Sequence, residues 1–225
     1  MATVAQDRPA PTLIESVPAA DPAPLGLAAF ALTTFVLSGH NATFIPDLIW
    51  VGLALFYGGL TQLLAGMWEF RNRNVFGATA FSTYGGFWMS LGVFVVLAVV
   101  SKSFAGDLTG ANLPNAVAWY LVAFAIFNTY MMLWSTQVSV SVFLVFVTLE
   151  VTEIILAVGF FDEGNGAANN YWLHLGGWIG IATAACAWYT SAAGVINGMT
   201  ARVVLPVGAP LARRQRMRGL RQHPA

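Results

Sequence analysis

Six long stretches almost free of charge constrain this chain more than anything else in it. A helix needs about 20 mostly apolar residues to cross the hydrocarbon of a bilayer. Stretches of that length run from Leu25 to Thr43, Leu48 to Trp68, Gly77 to Val100, Ala116 to Trp134, Val138 to Phe161 and Trp172 to Asn197. The breaks between them are chemically sensible. They are Pro46-Asp47, Arg71-Asn72-Arg73-Asn74, the segment from Lys102 to Asn115, the polar turn Ser135-Thr136-Gln137, and Asp162-Glu163-Gly164-Asn165-Gly166. In lipid only helices and closed barrels satisfy every backbone polar group. Barrel strands would alternate in polarity over about ten residues, and a run such as Leu91 to Val100 does not alternate. The expected fold is therefore an all-α membrane protein with six transmembrane helices per protomer. Composition agrees: 9% of the residues are charged, against about 25% in soluble domains.

Three regions follow. Residues 1–24 hold Pro, Ala, Asp7 and Glu15 without a basic-then-apolar leader pattern, and read as a disordered cytoplasmic tail. Residues 25–198 form the transmembrane domain, and residues 199–225 a basic tail. With six spans both tails share one side. That side holds Arg8, Arg71, Arg73, Arg202, Arg213, Arg214, Arg216, Arg218 and Arg221, and the other only Lys102. Basic residues mark the cytoplasmic face, so both termini are expected in the cytoplasm and the protein in a plasma (inner) membrane. The C-terminal Arg cluster is simply read as an orientation signal that also attracts anionic lipid; no nucleic-acid partner is expected.

Chemistry inside the membrane starts from its ionisable groups. Glu150 and Glu153 fall near the middle of the fifth stretch, with no basic residue at comparable depth. A carboxyl group so placed tends to hold a proton. It is either a proton-coupling site or a neutral acid bonded to a nearby hydroxyl or carbonyl. The other candidates for a polar lining are neutral: Thr33, Thr34, Asn41, Thr79, Ser82 and Asn128. Each hydroxyl, taken singly, is as well explained by a bond to its own helix backbone. Three scattered His and one Cys make no metal site, no cofactor is expected, and no soluble-enzyme signature is present. The paired glycines within the stretches suit close helix packing.

One local pattern is specific. Asp21-Pro22-Ala23-Pro24-Leu25-Gly26-Leu27 leads straight into Phe30. It is a helix start, with Asp21 able to cap and proline tolerated in the first turn. This stretch resembles the signature of the acetate uptake transporter family, which carries Asn where Asp21 stands. Tyr57-Gly58-Gly59, Ala65-Gly66-Met67-Trp68-Glu69, Asn74-Val75-Phe76-Gly77-Ala78-Thr79-Ala80-Phe81, Ser82-Thr83-Tyr84-Gly85-Gly86-Phe87-Trp88, Gly176-Gly177-Trp178 and Leu205-Pro206-Val207-Gly208 extend the resemblance in order.

The resemblance implies a six-helix protomer assembling as a hexamer, each protomer with its own pathway. It implies passage of acetate, with succinate in some members, by proton symport or as a channel. It also implies a narrow point formed by Phe30, Tyr84 and, with a poorer match in the fifth helix, Leu149. An apolar ring of that kind gates by size and dewetting. Glu150 and Glu153 depart from the family pattern. Leu149 and Glu153 are four apart and share a helix face, so a pathway lined by Leu149 is expected to meet Glu153. The competing readings are a channel for a small neutral solute such as ammonia, and a structural or signalling membrane protein that moves nothing. Acid–base catalysis by the two glutamates lacks nucleophiles or ligands at the same depth.

Overall fold

The structure, a computed structural model, describes residues 19–107, 112–166 and 170–212. Six helices are long and apolar enough to cross a bilayer: α1 (Ala23–Asn41), α2 (Ile49–Arg71), α3 (Val75–Val100), α4 (Asn112–Ser135), α5 (Val140–Gly164) and α6 (Tyr171–Thr200). A short helix, Lys102–Asp107, joins α3 towards α4. No strand occurs among the described residues. The N-terminal residues through 18 and the Arg213 to Arg221 cluster lie outside them.

Local chemistry sets the helix ends. Asp21 Oδ1 accepts from the Ala23 amide at 3.0 Å, so α1 opens inside the Pro-Ala-Pro run rather than after it. Asn74, Ser139 and Asn170 cap α3, α5 and α6 through the Gly77, Val142 and Leu173 amides. α5 continues one turn beyond its apolar run, carrying Asp162 and Glu163 to the surface. The expected break there falls later, at Asn165 and Gly166, where φ turns positive. The middle of α2 widens into a π-helical segment, Phe56–Thr61, at Gly58-Gly59. Nothing in the apolar pattern announces that change.

The spans form a ring. α1 sits between α2 and α6, α6 between α1 and α5, and α5 between α6 and α4; α2 packs on α3. Lighter contact between α3 and α4 closes the circle. Small residues permit the close crossings. A Cβ on Gly177 would stand 2.5 Å from the Ala42 nitrogen and 2.7 Å from the Ser38 carbonyl oxygen, so α6 touches α1 backbone to backbone. Gly85 brings α3 equally near the Leu63 amide of α2. The Leu205-Pro206-Val207-Gly208 segment returns over the bundle end. Asn197 holds Leu205, the Tyr189 hydroxyl donates to the Pro206 carbonyl, and the Val207 carbonyl accepts from the Ser141 amide. It thereby ties the end of α6 to the start of α5.

Candidate functional site

Two cavities lie inside the ring. The larger, about 500 Å³, is lined by residues of all six spans, α2 through Trp50 alone, and by the α1–α2 loop. The smaller, about 80 Å³, lies toward the opposite end, among Ala23, Leu27, Gln62, Asn74, Phe76 and residues at the start of α5. Phe30, Tyr84 and Leu149 line both. The three side chains are buried, and the rings of Phe30 and Tyr84 meet edge to face with centroids 5.8 Å apart. They come from α1, α3 and α5, which as alternate spans of an up-and-down ring run in the same direction. The sequence thus brings together, from three separated helices, the three residues that divide one cavity from the other.

The faces of those helices explain what lies beyond the ring. Four residues on from each member, one helical turn further, stand Thr34, Trp88 and Glu153. All three line the larger cavity and not the smaller. Thr34 is 5%, Trp88 3% and Glu153 2% exposed. Glu153 therefore faces the interior as its spacing from Leu149 predicted. Glu150 does not line either cavity; it is half-buried on the α4 side, accepting from Asn128 Nδ2 and Thr129 Oγ1, each at 2.7 Å.

Asn128 links these groups. Its amide donates to the Phe146 carbonyl and to Glu150, so its oxygen needs a donor, which is the Tyr84 hydroxyl at 2.9 Å. The same hydroxyl lies 3.3 Å from Glu153 Oε1. One hydroxyl hydrogen faces two acceptors. The hydroxyl donates to one of them at a time, and the shorter contact is to Asn128. The Tyr84 side chain is thereby held by a buried network across α3, α4 and α5.

The remaining candidates divide. Asn41 and Thr34 line the larger cavity. Thr33, Thr79, Ser82 and Asn128 are not among the lining residues of either cavity. Thr33 bonds back to the Ala29 carbonyl and packs on Gly58, and Ser82 packs on Gly66. Asp21, Pro22, Pro24, Leu25 and Gly26 shape the start of α1: Gly26 seats the Phe81 ring, and the Pro24 carbonyl accepts from Ser191 Oγ at 2.6 Å. At the mouth of the larger cavity His40 Nε2 and Trp50 Nε1 approach Asp47 Oδ1 at 3.5 and 3.0 Å, with Glu163 on the rim. Trp50, in the first turn of α2, is buried. Trp88 and Tyr120 escaped sequence reasoning, although the offset of four from Tyr84 pointed to Trp88. The arrangement is two cavities that share Phe30, Tyr84 and Leu149 as lining, with Thr34, Trp88 and Glu153 one turn to one side of them.

Comparison with known proteins agrees on the class. A sequence model of the GPR1/FUN34/yaaH family matches residues 6–211. Acetate permease A of Emericella nidulans is 39% identical over 88% of this chain and 70% of its own length. Ammonia transport outward protein 2 of Saccharomyces cerevisiae is 36% identical over 83% of this chain and 65% of its own. The succinate-acetate/proton symporter SatP of Escherichia coli is 36% identical over 84% of this chain and 95% of its own. The chain thus spans roughly two thirds of these fungal relatives and nearly all of the bacterial one. The structure of the bacterial acetate channel SatP superposes with a TM-score of 0.76 at 34% identity, covering 84% of this chain and 99% of that one.

Proposed function

The chain belongs to the GPR1/FUN34/yaaH family, and on that premise we propose that it passes acetate and similar short carboxylates across a membrane. One observation carries the reading: Phe30, Tyr84 and Leu149 line both cavities and divide them. A small solute leaving one chamber for the other meets that waist. The ring is apolar apart from one hydroxyl, so it selects by size and by the cost of dehydration. It contains no fixed cation to trap an anion, which suits release on the far side.

Residues beside the waist support proton involvement. Glu153 lies in the larger chamber, bonded to Tyr84, and Glu150 stands behind it in the same network. Movement of the acid with a proton is therefore the reading we adopt, with Glu153 in the proton's path. Arg71, Arg73 and Arg202 lie at the small-cavity end of the bundle, which supports reading that end as the cytoplasmic one. The membrane is then the plasma (inner) membrane, and the working unit a homo-hexamer with one pathway per protomer. No chemical conversion is assigned to the protein.

Uptake of labelled acetate into proteoliposomes tests the reading. Saturable, protein-dependent flux that an imposed proton gradient drives uphill is expected, and Glu153→Gln abolishes the uphill component. Proteoliposomes no more permeable than empty ones contradict it. Ammonia is the second reading, favoured by the name of a yeast relative, and methylammonium flux exceeding acetate flux would select it.

A further inference from the structure

We propose that Thr34, Trp88 and Glu153 form a docking site for the carboxyl group of a short monocarboxylic acid, in which the ligand and Glu153 share one proton. The inference rests on the transport reading for its setting but on separate observations for its substance. Among the described residues, Thr34 Oγ1, Trp88 Nε1 and Glu153 Oε2 are buried and have no hydrogen-bond partner. Buried polar atoms are ordinarily paired. Among the described residues Gln62 Oε1, Glu69 Oε1 and Ser82 Oγ are unpaired as well, but only Thr34, Trp88 and Glu153 belong to residues that line the larger cavity, on three different helices and each one turn beyond Phe30, Tyr84 or Leu149.

The set matches a carboxyl group. The indole N–H is a donor only, and the threonine hydroxyl is a donor with acceptor capacity. Two donors suit the two oxygens of a carboxylate. The third member is itself a carboxyl group, so both carboxyls cannot be ionised side by side without repulsion. One proton between them removes the conflict. Acetate arriving as the anion accepts from Trp88 Nε1, Thr34 Oγ1 and a protonated Glu153. Acetic acid arriving neutral donates to an ionised Glu153. Both routes end with the same pair: two carboxyl groups, one proton and one negative charge.

The surroundings set the specificity. Phe87 and Leu91 line the same cavity with Phe30 and Leu149. They give the methyl or ethyl group of a short acid an apolar seat. The titratable groups facing Glu153 are Tyr84 on α3, Tyr120 on α4 and Glu150 one turn back on α5; His40, Asp47 and Glu163 stand at the distant mouth. None supplies a cation at the depth of the waist, so the shared proton alone offsets the second carboxylate.

The test measures the full-length protein in detergent and in proteoliposomes, as wild type, Thr34→Val, Trp88→Phe and Glu153→Gln, with Trp119→Phe, an exposed ring on the outside of α4, as control. The probe is sodium acetate against sodium chloride of equal ionic strength. Acetate should raise the unfolding temperature of the wild type and the control, and more so at mildly acidic than at alkaline pH. Thr34→Val and Trp88→Phe should lose most of that rise and increase KM for acetate about tenfold, the loss of one bond to a charged group. Glu153→Gln should retain binding of the anion but lose its pH dependence. Thr34→Val without acetate should unfold no earlier than wild type, because it removes an unpaired atom; earlier unfolding with an unchanged KM indicates a packing role and overturns the proposal. Acetate-induced stabilisation and KM within twofold of wild type in all three variants overturn it too. Stabilisation that depends on the three residues in a protein showing no acetate flux would sustain the docking site while rejecting the transport reading.

Discussion

Shortening Leu149 to alanine separates a waist from an ordinary packed core. In a closed interior a Leu→Ala change costs about 2–5 kcal/mol, rising with the cavity left behind. Leu149 is 6% exposed, yet it fronts a space of about 500 Å³ on one side and about 80 Å³ on the other. Part of the side chain therefore has no protein to lose contact with, and the expected destabilisation is about 2 kcal/mol, the low end of the range. Function should respond more than stability. Removing the branched end joins the two chambers beside Phe30 and Tyr84. If the ring sets the barrier, lowering it by about 1.4 kcal/mol speeds passage about tenfold. Proteoliposome uptake of acetate, propionate and butyrate, measured alongside thermal unfolding, gives both quantities. The rates should rise for all three acids and most for butyrate, whereas Leu156→Ala, which lines the larger chamber alone, should leave their ratio unchanged. A destabilisation of about 4–5 kcal/mol with unaltered rate ratios would refute the reasoning.

Tyr84→Phe removes the donor that serves Asn128; a loss of about 1–3 kcal/mol is expected from the stranded amide oxygen, read by unfolding in detergent. Asn128→Ala should cost more than Tyr84→Phe, because it also frees Glu150 and the Phe146 carbonyl, and the double variant should fall short of the sum. Gly177→Val should abolish folded protein, since its Cβ has only α1 backbone to meet; monodisperse protein on size exclusion would contradict the close crossing. Asp21→Asn keeps the cap on Ala23 and removes a charge from the small-cavity end, so acetate flux should rise, while Asp21→Ala should lose about 1 kcal/mol of local stability.

The apolar stretches made the six helices legible because lipid leaves a spanning backbone so few solutions. Their ends were legible where a capping side chain marks them, as at Asn74 and Ser139. The end of α5 was not, because Asp162 and Glu163 read as a break although a helix reaching water tolerates them. Glu153 facing the interior followed from its offset of four from Leu149. That Phe30, Tyr84 and Leu149 would come together was suggested only by the family motifs, since they look like any core residues in composition. Thr33 and Ser82 were indistinguishable from Thr34 by type; only the neighbours, Gly58 and Gly66 against an open chamber, separate them. Trp88 and the network through Asn128 depend on which helices adjoin, which hydropathy does not encode.

Acetate is proposed to cross the membrane between Phe30, Tyr84 and Leu149. Initial rates of labelled acetate uptake into proteoliposomes, compared with protein-free liposomes at a pH where acetate is ionised, test it most directly. Saturable uptake is expected that exceeds the protein-free rate, accelerates in Leu149→Ala, and accumulates acetate against its gradient when the interior is made alkaline. Uptake equal to that of protein-free liposomes, in the wild type and in Leu149→Ala alike, would contradict it.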